Sequence, residues 1–291
     1  MIFDRAAKRR QRDRAAQDVS LSRQTDYLRD EVAARVVDRL LDIKRRFPVL
    51  VDLGAGAGHM VKHLESDLTS KVIQLEYSRG LGERDVGEER EVEVERVVAD
   101  EEALPFEPNS LDAVISSMSL HWINDLPGTL SQVRHALKPD GVFLGAMLGG
   151  DTLYEARVAL QLAETERLGG ISPRVSPMTN VSDMGQLLSR AGLTLTTVDV
   201  DEVVVRYPSL FELMTDLHDM GESNSIINRR PYLSRDVMMA ASSIYQEMYG
   251  SEDGTIPATF QILYLIGWKP DPSQPKPLAR GSAKASLKET L

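Results

Sequence analysis

The 291-residue chain contains no cysteine, which excludes disulfides, thiolate metal sites and cysteine nucleophiles together. No apolar run reaches the roughly 18 residues of a membrane-spanning helix, so at most peripheral contact with a membrane is expected. Positive charge is in deficit, with 34 Lys and Arg against 44 Asp and Glu and a formal net charge of -10. Phosphate affinity rests on clustered Lys and Arg, so no nucleic-acid partner is expected. The five histidines show no two-His-one-carboxylate pattern, and no metal is expected either. What is present is a 42% hydrophobic chain, long enough to bury the core of one large α/β domain with an added helical piece.

The most informative stretch is FPVLVDLGAGAGHM, Phe47 to Met60. Pro48 to Leu53 read as a short buried strand with Asp52 at its carboxyl end, and Gly54, Gly56 and Gly58 turn the backbone into a helix starting near His59. Glycines at alternate positions after an Asp fit an adenosylmethionine loop better than the GxGxxG pyrophosphate fingerprint. The same glycines also suit a purely structural turn. Downstream spacing favours a site: KVIQLE makes a second strand ending on Glu76, about twenty residues past the glycines, where an open α/β sheet places a carboxylate on the ribose hydroxyls. A third strand closes on Asp100 and Glu101 ahead of Leu104-Pro105-Phe106, suiting a carboxylate at an adenine amino group beside an apolar wall.

A fourth strand, Asp112 to Ser117, runs into Met118, Leu120, His121 and Trp122 at the same edge. Leu120 is assigned to the cofactor, and His121 is a candidate base that could equally be packed and hydrogen-bonded. After a helix through Leu137 and the strand VFLGAML, Gly149 to Thr152 precede a helix carrying Tyr154, Arg157 and Glu164. Asp151 and Tyr154 are candidates to face substrate, against an ordinary strand-helix junction.

The organisation expected is a basic arm and helix over 1–46, a Rossmann-like domain over 47–207, a helical insertion over 208–257, a last strand over 258–268 and a flexible tail over 269–291. Asp4, Asp13 and Asp18 argue that the arm belongs to the folded protein rather than to a cleaved targeting segment. Leu28, Val32, Val36 and Leu40 mark an amphipathic helix against the sheet. The charged segment from Gly80 to Glu95 reads as a mobile loop or frayed helix with solvated acids rather than a packed element, and the joint MGESNSIINRRP, Met220 to Pro231, as a specificity loop.

FDRAAKRRQRDRAA, DLGAGAG, ADEEALPF, SSMSLHWINDLP, LKPDGVFLGAMLGGDTLYEAR, LQLAETER, AGLTLTTVDVDE, FELMTDLHDMGESN, EMYGSEDGTIPATFQI and PLARGSA span almost the whole chain. In these stretches it resembles the mitochondrial complex I assembly factors that have a class I methyltransferase fold and hydroxylate an arginine. GGDTLYE and MGESN carry more of the resemblance than the glycine loop does. The resemblance implies a doubly wound sheet, S-adenosyl-L-methionine as cofactor, and an iron-sulfur subunit of the complex I quinone-side arm as partner. It also implies a location in the mitochondrial matrix at the inner membrane. Glu76 stands where relatives more often have Asp, which sets its carboxylate one methylene further out. Two other readings share these residues: a methyltransferase for a small molecule or carrier-bound carboxyl, and a non-catalytic assembly chaperone.

Overall fold

The computed structural model describes residues 1–276. Seven strands form one sheet: β1 (Val49–Leu53), β2 (Lys71–Glu76), β3 (Glu93–Val98), β4 (Leu111–Ser117), β5 (Leu137–Leu148), β6 (Thr194–Tyr207) and β7 (Ile256–Trp268). Their order is β3-β2-β1-β4-β5-β7-β6; β7 alone runs antiparallel to its neighbours. β1 up to Asp52 and β5 from Val142 onward are apolar runs because both faces of a central parallel sheet are covered. The outer strand β6 instead alternates partly buried with exposed residues, the pattern of an edge with one wet face.

Leu50 and Val51 point to opposite faces and begin two cores. On one side lie α3 (Tyr27–Leu41), α6 (Tyr154–Leu168), α8 (Leu210–Asp219) and α9 (Arg235–Tyr249); on the other lie α5 (Leu126–Ala136) and α7 (Val181–Arg190). The expected stripe of α3 is fully used, with Val32, Val36 and Leu40 at 0% exposure. Because β1, β2 and β4 are parallel and in register, Asp52 lies beside Gln74 and Ile115, and the carboxyl ends of the strands share one rim.

Four expectations change. The helix after the glycine loop is only a 3-10 turn, Met60–His63. Met60 and Val61 of that turn are buried and Leu64 takes extended backbone at φ -94° and ψ 128°, so the chain folds back early instead of extending a helix. The Gly80–Glu95 segment is not wholly a solvated loop: α4 (Arg79–Arg84) is capped by Ser78, and Asp85 is buried between Arg84 and Arg23. The basic arm is not a free arm, since α1 (Arg5–Ala15) folds onto the rim with Lys8 and Arg12 at 2% and 5% exposure. The first part of the expected tail is tied down, because Lys269 donates to the backbone oxygens of His135 and Leu137 and Gln274 donates to Asp140. The remainder of that tail, 277–291, with the PLARGSA stretch, lies outside the described residues.

Candidate active site

Gly54, Gly56 and Gly58 all have positive φ, at 71°, 57° and 87°, a region that L side chains seldom adopt. A Cβ on Gly54 would lie 2.1 Å from Ser119 Oγ, and one on Gly58 would lie 2.5 Å from Gln74 Nε2. A Cβ on Gly56 would meet only the His59 ring at ordinary contact distance, so its backbone angle alone requires glycine there. The loop therefore presents bare amides, and the Gly56 amide donates to Glu76 Oε2 at 2.9 Å.

Asp52 lies under this loop at 0% exposure, and neither of its oxygens has a hydrogen-bond partner. Burial, reinforced by the neighbouring Glu76, pushes its pKa up to about 8. An orphaned buried carboxylate is costly, and its natural complement is a cation or a strong donor.

The acids read from the strand ends do converge, but through side chains of α1. Arg12 Nη1 lies 3.3 Å from Glu76 Oε1 and 3.9 Å from Glu101 Oε1, while Arg5 donates to Asp100 Oδ1 at 2.7 Å and also to Glu101. Glu101 is fully buried and accepts the Ser119 hydroxyl, whereas Asp100 is partly exposed. Arg12 fills the cleft with Asp52, Gly54, Gly56, Ser117 and Met118, leaving about 10 Å³ free. Sequence reading named Arg12 only as part of a basic arm. The missed signal is spacing: Arg5, Lys8 and Arg12 recur at three and four residues and so share one helix face. Leu120 is buried in the core with Leu53 and Leu75 and does not line the cleft.

Beside the cleft opens a second cavity of about 400 Å³, walled largely by apolar side chains such as Leu28, Leu153, Leu213 and Phe260. Arg29 and Met118 line both spaces and separate them. Met118 and Leu153, both in its wall, hold φ of 55° and 51°, left-handed backbone that non-glycine residues take only when their surroundings impose it. Glu222 closes the inner end: Arg29 Nη2 donates to its Oε1 at 2.6 Å and the Trp122 indole to its Oε2 at 2.6 Å. Lys8 Nζ lies 3.6 Å from that carboxylate and 3.4 Å from the centroid of the Trp122 ring. Burial acts against the Glu222 charge, but Lys8, Arg29 and Arg12 outweigh it and hold the pKa down to about 2.

The candidates of the sequence divide. His121 is buried with neither ring nitrogen bonded, and its Nε2 is 4.0 Å from Glu222 Oε2. Burial lowers its pKa to about 3, partly opposed by Glu222 and aided by the cations around it, so it stays neutral and weakly basic near pH 7. It lines neither space. Asp151 accepts from Gln261 at 2.9 Å and Tyr154 packs edge-on against Tyr249; neither reaches the cavity wall, which takes Thr152 and Leu153 from that turn instead. Asp26, Asp30 and His59 bring three ligand-type atoms within 4.8 Å. Arg84 at 2.5 Å from Asp26 and Lys62 at 2.9 Å from Asp30 already provide the cations this cluster needs.

A seven-stranded sheet with one antiparallel strand, a glycine loop after β1 and an acid at the end of β2 define the class I methyltransferase fold. Residues 51–145 match the methyltransferase domain family. The YcgJ protein of Bacillus subtilis superposes with a TM-score of 0.54 at 16% identity, covering 81% of this chain and 98% of that one. In sequence the chain is 53% identical to the mitochondrial arginine-hydroxylase NDUFAF5 of Danio rerio, over 98% of this chain and 88% of its relative. It is 30% identical to a malonyl-[acyl-carrier protein] O-methyltransferase of a Methylovorus strain, over 92% and 90% of the two chains. The chain belongs to the family of the mitochondrial arginine-hydroxylase NDUFAF5.

Proposed function

We propose that the protein binds S-adenosyl-L-methionine in the glycine-loop cleft and modifies, by hydroxylation, an arginine of an iron-sulfur subunit of the complex I quinone-side arm during assembly. The cleft residues fit that cofactor. Asp52 offers two bare oxygens to an ammonium group, and the buried Nε of Arg12, which has no acceptor, offers a donor to a carboxylate, together the complement of an amino-acid zwitterion. Glu76 would take ribose hydroxyls once the Arg12 guanidinium moves away from it, and Asp100 with Glu101 would take the adenine amino group once Arg5 releases them. When bound, the cofactor supplies an activated sulfonium methyl. Hydroxylation inserts one atom of dioxygen into a C–H bond and reduces the other to water, so it needs dioxygen and a two-electron donor, both from outside the chain.

The observation that carries this reading is the shared boundary. Arg29 and Met118 line both the cleft and the cavity, so a side chain in the cavity would share a wall with a cofactor held in the cleft. Such placement by itself contributes much of an enzymatic barrier reduction, because reactants held in contact need no further encounter. The apolar wall excludes water from that contact. The naming of relatives supports arginine as the target and the mitochondrion as the location. Among the described residues no helix is long and apolar enough to cross a membrane, which leaves the matrix side of the inner membrane accessible as a peripheral location.

Mass spectrometry of the quinone-arm iron-sulfur subunit, from cells with and without this protein, tests the proposal. Loss of one oxygen mass on an arginine is the expected result. Loss of a methyl mass instead would make the protein a methyltransferase, and an unchanged subunit would leave only a scaffold role.

A further inference from the structure

Among the described residues lining the large cavity, Glu222 is the only carboxylate, and it is paired with Arg29, which lines the glycine-loop cleft as well. Two groups fix it from behind, the Trp122 indole and Lys8, while its Oε1 is turned toward Arg29. The guanidinium resting on Oε1 in this structure is thus one of the chain's own, with Nη2 of Arg29 at 2.6 Å. That pair is the contact a guanidinium from outside would make. Building on the arginine reading above, we propose that Glu222 is the specificity-determining residue that receives the guanidinium of the target side chain.

Shape and charge agree with this assignment. Leu28, Met118, Leu153 and Leu213 wall the approach and suit the three-methylene stem of an arginine, which buries readily while its head stays paired. A planar fork of donors on a carboxylate is the strongest of the common side-chain contacts. The cavity also carries four arginines, but Arg174 is closed on Glu164 at 2.8 Å, Arg229 lies 3.6 Å from Asp4, and Arg29 is on Glu222 itself. Only Arg230 faces solvent with no ion-pair partner among the described residues. Lys8, whose pKa burial lowers to about 7, is able to give up its proton near neutrality as a second guanidinium arrives. Its amine would still donate to the Gly221 and Ser223 carbonyls, each 3.0 Å away.

The test compares two small probes of equal length on the full chain, N-acetyl-arginine methylamide and N-acetyl-citrulline methylamide, by saturation-transfer NMR. Citrulline keeps the shape and loses the charge. The wild type should bind the arginine probe about tenfold more tightly, Glu222→Gln should erase that preference, and Glu222→Asp should keep part of it. Adenosylmethionine affinity, measured calorimetrically, should stay within about tenfold of wild type in both variants, since Arg29 lines the cleft as well and is shared between the two sites. Equal binding of the two probes by wild type, no binding of the arginine probe, or a retained preference in a folded Glu222→Gln would each overturn the assignment. Arginine preference together with an unmodified subunit would instead retire the hydroxylation reading and leave the Glu222 assignment standing.

Discussion

The cleft at the glycine loop and the cavity beside it are opposite solutions to holding a ligand. The cleft is polar, tight and bridged by two arginines of α1, whereas the cavity is apolar, roomy and carries one acid at its inner end. In the first, position is set by backbone angles and charge, which tolerate almost no change. In the second it is set by the shape of many side chains, each contributing a little. The difference teaches that a loss at the rim should be abrupt and specific, while a loss in the cavity wall should be gradual and shared.

The largest effect expected from breaking the contrast is at Gly54. Gly54→Ala places a methyl against Ser119 in a left-handed backbone position, which should cost about 2–4 kcal/mol of stability. It should abolish measurable adenosylmethionine binding by calorimetry. Retained binding within tenfold would show that the loop does not cradle the ligand.

Next comes Asp52, whose two properties pull apart. Its pKa is raised to about 8, so its contribution to stability is fully present below the unfolded value near 3.8 and is lost as pH rises through 8. Asp52→Asn should therefore flatten the fall in thermal midpoint between pH 4 and 8, while weakening cofactor affinity by about tenfold or more. In the wild type at pH 7, cofactor binding should release about one proton, read as a dependence of binding heat on the buffer's ionisation enthalpy; the variant should release none. A wild type without that buffer dependence would place no cation on Asp52.

His121 sharpens the boundary between the two regions. Its pKa is lowered to about 3, so the stability it gives is present above 6.5 and lost as pH falls toward 3. His121→Asn should lessen the acid-side loss by about 3 kcal/mol in urea titrations at pH 4, and should leave the pH 7 modification rate within a few fold. A much larger rate loss, with a pH profile that moves, would restore His121 as a base.

The smallest change lies on the far edge of the sheet. The Arg39–Asp199 pair is 2.9 Å long and mostly solvated, and Asp199→Ala should cost no more than about 0.5 kcal/mol. A cost above 1 kcal/mol would mean that the edge strand depends on charge.

Much of the rim was legible because its requirements are local. An apolar strand, an acid at its end and glycines at alternate positions are dictated by consecutive residues; Asp52, Gly54 and Gly56 line the cleft, Glu76 and Glu101 reach it through Arg12, and Gly58 turns the backbone beside it. The helix expected after His59 was not, since its residues are helix-compatible and only the extended backbone of Leu64 in the folded chain ends the turn there. Asp151 and Tyr154 were placed by their position after β5, but a half-turn of rotation decides which side chain meets a cavity, and the turn sends Thr152 and Leu153 inward. Glu222 lay in a loop recognised as polar and specific, with nothing in its neighbours to show that Arg29 and Lys8, some two hundred residues earlier, would meet it.

What the sequence determined by itself was the sheet, its ligand edge and the amides that line it, because strand periodicity and glycine conformation act over a few residues at a time. Only the tertiary structure decided that the basic helix at the start of the chain would lie across that edge, that its arginines would bridge the acids there, and that one carboxylate would line the cavity beside it. Those are pairings of charge across long sequence separations, and a buried charge finds its partner only when the whole chain has closed around it.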